Sequence, residues 1–133
     1  MRSIANWAYD AALLLRDPTS APFTGSVELP AQKFVNTDPY WNNGSAFGEI
    51  DVIARVEALV TAVNVAIYVG NSTVTAATGA QVSLTEISTA GSFKIPLDLN
   101  EIHAERPDAT HYLVVLTAVG GAADVGVYLT ASN

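Results

Sequence analysis

The sequence predicts an all-β fold: an antiparallel β-sandwich of about eight strands on a jelly-roll-like course, as one domain over residues 1–133. Three observations predict it. Apolar and polar residues alternate with a period of two in several short runs. Glycine, asparagine and serine clusters close those runs. The length of 133 residues suits a single core, without room for two comfortable ones.

Residues 9–15 read as a first strand and 26–29 as a shorter one. Around them, residues 17–47 hold four of the six prolines together with Gly25, Asn36, Asn42, Asn43 and Gly44, so this Pro/Asn/Gly-rich segment is expected to be mostly irregular. The regular body starts at Glu49. Glu49, Asp51, Arg55 and Glu57 fall on one side, and Ile50, Val52, Ala54, Val56 and Ala58 on the other, which predicts a strand with one wet face. Residues 63–69 put Val63, Val65, Ile67 and Val69 on one face and end at Gly70-Asn71-Ser72.

In 81–88, Val82, Leu84 and Ile87 are spread unevenly over the two faces of a strand. Residues 92–99 set Phe93, Ile95, Leu97 and Leu99 against Ser92, Lys94, Pro96 and Asp98. Pro96 has no N–H for a ladder, so this strand is placed at an edge or a bulge. Residues 112–119 are apolar on both faces, as a central strand buried from both sides would be. Gly120-Gly121 then reads as a tight hairpin turn. The last strand, 123–130, has Val125, Val127, Leu129 and Ala131 inward, with Asp124, Gly126, Tyr128 and Thr130 outward.

Composition removes several classes of function. Six Lys and Arg against thirteen Asp and Glu give a net charge of −7, which opposes the counterion release behind nucleic-acid affinity. No stretch reaches the roughly 18 to 20 apolar residues of a membrane-spanning helix. Asp10 interrupts the N-terminal apolar run, so no export signal is expected. With no cysteine, neither disulfides nor thiolate chemistry enter. Half the residues are hydrophobic and mean hydropathy is +0.28, so part of the apolar surface is expected to face a partner.

Catalytic groups are sparse. The only histidines are His103 and His111, and no Gly-x-Ser-x-Gly elbow surrounds any serine. A zinc site drawing on both histidines with Glu101, Glu105 or Asp108 fits poorly, because their eight-residue offset matches neither helical nor strand pairing. Glu49, Asp51 and Glu57 resemble the paired carboxylates of glycosidases, but acidic residues on a solvent face, with Arg55 among them, explain that alternation more simply. No phosphate cradle occurs. No catalytic residue, cofactor or metal is therefore expected. Residues 36–44, with Tyr40 and Trp41 in a Pro/Asn/Gly turn, are the most distinctive local feature. The two aromatics would stack on a sugar, anchor a protein interface, or cap one end of the sandwich. Calcium at Asp38, Asn42 and Asn43 has one carboxylate only, which is too few.

The succession Ser26-Val27-Glu28-Leu29, then Gly48-Glu49-Ile50-Asp51-Val52-Ile53-Ala54-Arg55-Val56, Val63-Asn64-Val65-Ala66-Ile67-Tyr68-Val69, Phe93-Lys94-Ile95-Pro96-Leu97, His111-Tyr112-Leu113-Val114-Val115-Leu116, Gly120-Gly121 and Val125-Gly126-Val127-Tyr128-Leu129 resembles the small capsid cement (decoration) proteins of tailed phages. The resemblance spans residues 26–132. It implies a jelly-roll-like sandwich, made in the host cytoplasm, that sits on the outer capsid surface of the virion and bridges subunits of the major capsid protein without chemistry. It also implies a homo-oligomer, a dimer ahead of a trimer. The longer segment before Glu49 departs from the simplest members. It offers two contact regions: an arm over 1–25 carrying Trp7, and the 36–45 loop carrying Tyr40 and Trp41. The alternative function is a carbohydrate-binding, lectin-like sandwich that uses Tyr40 and Trp41.

Overall fold

A computed structural model describes residues 14–17, 21–33 and 49–131. Among them are nine strands: β1 (Leu14–Arg16), β2 (Ser26–Glu28), β3 (Gln32–Lys33), β4 (Glu49–Ala58), β5 (Ala62–Gly70), β6 (Ala80–Ile87), β7 (Gly91–Asp98), β8 (His111–Val119) and β9 (Asp124–Ala131). One short helix, α1 (Leu99–Glu105), joins β7 to β8.

The strands pair in a nested series, all antiparallel: β5 with β6, β4 with β7, β2 with β8, and β1 with β9. Alternate pairs then join, β4 to β9 and β5 to β8. This gives two facing sheets, β1-β9-β4-β7 and β2-β8-β5-β6, with β3 also on β8. The order is that of a jelly roll, and the sandwich is antiparallel throughout.

The period-two faces of the sequence meet between the sheets. From one sheet come Val52, Ala54 and Val56 of β4, Ile95 and Leu97 of β7, and Val125, Val127 and Leu129 of β9. Facing them are Val63, Val65, Ile67 and Val69 of β5 with Tyr112, Val114 and Leu116 of β8. β-branched side chains dominate this layer, as suits a pleated buried surface. The sheet of β5 and β8 is covered on its outer side as well. Ala66, Leu113 and Val115 pack there against Val74 from the β5–β6 loop. That loop folds back over the sheet, with the Ala76 N–H donating to Glu28 Oε2 at 3.3 Å. The two-sided burial expected of 112–119 is thus present over 112–116, while Thr117 and Ala118 are half-buried and Val119 is exposed.

Three sequence expectations change, and a fourth finds its explanation. Gly120-Gly121 does not close a hairpin, because β8 and β9 belong to different sheets and the turn carries the chain across the sandwich. The uneven apolar set of β6 is explained by a bulge. The β5 register jumps between Ile67↔Ser83 and Tyr68↔Gln81, so Val82 and Ile87, five apart, both reach the core. The polar stretch after Asp98 is α1, whose N-cap Asp98 accepts from the Glu101 N–H at 3.1 Å. Finally, Asp51 does not lie on a wet face. It is 5% exposed and its Oδ1 has no hydrogen-bond partner, whereas Arg55 and Glu57 farther along β4 are exposed and paired at 2.8 Å. Alternation fixes which side a residue takes, not what lies over that side. Of the first expected strand only residues 14–15 are described, within β1.

Leu116, fully buried opposite Val65 and Val27, tests the core. Leu116→Ala should lower unfolding stability by about 3 kcal/mol, read as a lower urea midpoint at unchanged slope.

Candidate functional site

Trp7, Tyr40 and Trp41, the contact candidates of the sequence, lie outside the described residues, as does the turn that a sugar or calcium reading would use. The candidate surfaces that can be built residue by residue are the two ends of the roll.

At one end, the β4–β5 turn (59–61), the β6–β7 turn (88–90), the β8–β9 turn (120–123) and the end of the β1–β2 segment come together. The Thr61 N–H donates to the Val119 carbonyl at 3.3 Å, and the Ala118 N–H to the Gly25 carbonyl at 2.8 Å. Phe23 and Ala123 exchange two backbone hydrogen bonds of 2.9 Å. Glycine is required in the middle of this joint. Gly120 has φ +82°, and a Cβ there would run into the Thr61 side chain. A Cβ on Gly121 would stand 2.6 Å from Val60 Cγ2. The turns are therefore locked against each other, with Val60 on the Gly121 backbone.

What this end shows to solvent is uncharged, with exposed valines among exposed Thr24, Thr61, Ser88 and Thr89. Val60 is 62% exposed and Val119 36%, two of the three large hydrophobic side chains exposed among the described residues. Residues 58–85, 87–93 and 112–123 contain no Asp, Glu, Lys or Arg, in a chain of net charge −7. Two charges at its rim, Arg16 and Asp124, are paired. Arg16, its side chain only 9% exposed, lies 3.5 Å from Asp124 Oδ1. It donates to the carbonyls of Val125 (2.6 Å) and Ala21 (2.7 Å) and covers the Phe23 ring at 4.9 Å. One guanidinium thus ties β1, β9 and the β1–β2 segment together while its charge is turned away from solvent.

At the opposite end, the β5–β6 loop and residues 105–109 enclose an open cleft of about 580 Å³. Its walls carry Asn71, Thr73, Val74, Thr78, Glu105, Arg106 and Asp108. Asn71 Oδ1 accepts from the Thr73 N–H (2.9 Å) and hydroxyl (2.8 Å), and the Thr110 N–H donates to the Gly70 carbonyl at 2.9 Å. Neither His103 nor His111 lines it. His103 sits half-buried on α1. His111 opens β8, with its Nδ1 2.8 Å from Thr110 Oγ1. Among the described residues no three His, Asp or Glu side chains gather to hold a metal. The cleft offers hydrogen bonds and one Arg106–Glu105 pair at 3.9 Å.

Beneath this end, opposite Val69, burial pushes the Tyr112 phenol well above its ordinary value. The unfolded chain loses this proton near pH 10 while the folded one keeps it, so stability is complete below pH 10 and falls above it. Tyr112 alone should contribute a decline of about 1.4 kcal/mol per pH unit beyond that point. Urea titrations from pH 8 to 11 should show that slope reduced in Tyr112→Phe.

No protein-family model, no curated protein and no solved structure matches the chain.

Proposed function

We propose that the chain is a non-catalytic cement protein of a phage capsid, docking on the outside of the assembled shell and bridging subunits of the major capsid protein. The observation that carries this reading is the uncharged apolar end built by Val60, Val119 and the Gly120-Gly121 turn. A docking surface of this kind costs little to bury. It holds no ion to desolvate, and its turns are already fixed, so little conformational freedom is lost on binding. Aliphatic contacts supported by a rigid backbone suit a protein partner, and the acidic remainder of the surface suits contact with DNA poorly.

Cementing needs no reaction. A protein that binds only the assembled shell stabilises it by RT ln(1 + [L]/Kd) at every site, about 2.7 kcal/mol when free protein stands at a hundred times Kd. Repetition over a shell multiplies modest contacts into a large barrier to rupture.

Cosedimentation with empty capsids from the same phage tests the reading. The protein should bind saturably and raise the capsid melting temperature. Val60→Asp with Val119→Asp, both at partly exposed positions, should weaken binding at least about tenfold while the protein still melts cooperatively as a folded domain. Absence of binding by the unaltered protein would remove the cement function. Undiminished binding by the double variant would move the contact away from this end.

A further inference from the structure

We infer that β6 is a self-pairing edge through which two copies of this chain join, antiparallel and about a two-fold axis, into one continuous sheet. The four sheet edges are not alike. β1, β2 and β3 are two or three residues long. β7 is long but carries Lys94 and Pro96, two residues that discourage edge pairing, and runs directly into α1. β6 has eight residues, Ala80–Ile87, with no Lys and no Pro, and ends its sheet among the described residues. Every second residue of such a strand turns its N–H and C=O away from β5. Leu84 stands 58% exposed at its middle, the third of the large exposed hydrophobics and separate from the apolar end.

The occupant follows from register and charge. Joining two copies with their outer faces on one side requires that residues facing each other point the same way, so a two-fold axis must pass through a residue pair and not between residues. The bulge at Val82 makes 83–87 the regular stretch of β6, with Ser83 at the rim of the groove that Gln81 and Val82 form with α1. Its centre is Thr85. In that register Thr85 faces Thr85 of the second copy and Leu84 faces the second copy's Glu86. The two Leu84 side chains lie diagonally within reach on the outer face. Glu86, the only charge of β6, then meets an aliphatic partner instead of its own copy. A second copy of the chain therefore fits with no like charges directly opposite each other, the two Glu86 standing only on the other diagonal, in spite of the net charge of −7.

A strand pair of this length buries less than a standard interface, so association in the micromolar range is expected. Sedimentation velocity of the protein alone, from about 1 to 200 μM, should show a monomer–dimer equilibrium. Leu84→Lys, on an exposed side chain, should weaken it at least about tenfold without changing the melting temperature. The absence of cysteine gives a second readout. Thr85→Cys should form an intermolecular disulfide under mild oxidation, because opposed Cα atoms in an antiparallel pair stand about 4.5 to 5.5 Å apart. Val60→Cys, at the apolar end, should not. A monomer throughout the range, or cross-linking at position 60 in place of 85, would overturn the inference. Both measurements use the protein without capsids, so their failure is distinct from failure of the cement reading.

Discussion

The apolar layer between β4 and β5, and between their neighbours β9 and β8, is the constraint on which the rest of the structure depends. There is no disulfide, so the two sheets are held by side-chain burial. That layer is made of many small β-branched groups, Val52, Val56, Val63, Val65, Val125 and Val127 among them, each almost fully buried. Such a layer rewards only one arrangement of each strand. A slip by one residue would exchange the core face for the solvent face, so the nested pairing is set by burial more than by any turn. The alternation of sheets along the chain follows, because β4 and β5 lie in different layers although only three residues separate them.

Crossing between layers in so few residues places severe demands on the turns, and this explains the chemistry at the end of the roll. A turn spanning two sheets cannot satisfy its backbone within one ladder. Here the turns satisfy one another, Thr61 on Val119, Ala118 on Gly25 and Ala123 on Phe23. Such packing favours small uncharged residues, which is why glycine, alanine, threonine and valine collect there. The apolar end is thus first a consequence of the fold. Val60, although it packs on Gly121, and Val119 still keep part of their surface exposed.

Much of this was legible in the sequence, and the failures have physical causes. β4, β5, β7, β8 and β9 are readable because each buries one face or both, and a period of two records that directly. β6 is readable as a strand over 81–88, but not which of its faces is buried, because a bulge shifts the period between Val82 and Ile87. The Gly120-Gly121 turn was read as a hairpin because two glycines signal reversal without saying whether the chain returns to the same sheet or the opposite one. The Asp98 cap with Glu101 three residues later was the available signal for α1. The candidate site was hardly legible. Trp7, Tyr40 and Trp41, outside the described residues, stand out in the sequence because aromatics mark contacts, whereas the apolar end is marked by missing charges in segments far apart in sequence. Only the fold brings those segments together.

Charge distribution also sets how the molecule meets other surfaces. All thirteen acidic residues fall outside 58–85, 87–93 and 112–123, and among the described ones Glu101 and Glu105 lie on α1. Two like-charged bodies repel over a Debye length of about 8 Å at physiological ionic strength. Approach by an acidic surface is therefore penalised before contact. Approach by an uncharged end, or along an edge with a single carboxylate, is penalised least. The same feature that makes those regions cheap to desolvate also makes them the surfaces most easily reached. In the docking proposed above, and against an acidic partner, an apolar patch of modest area would thereby gain orientation from residues that never touch that partner, more strongly as salt is lowered.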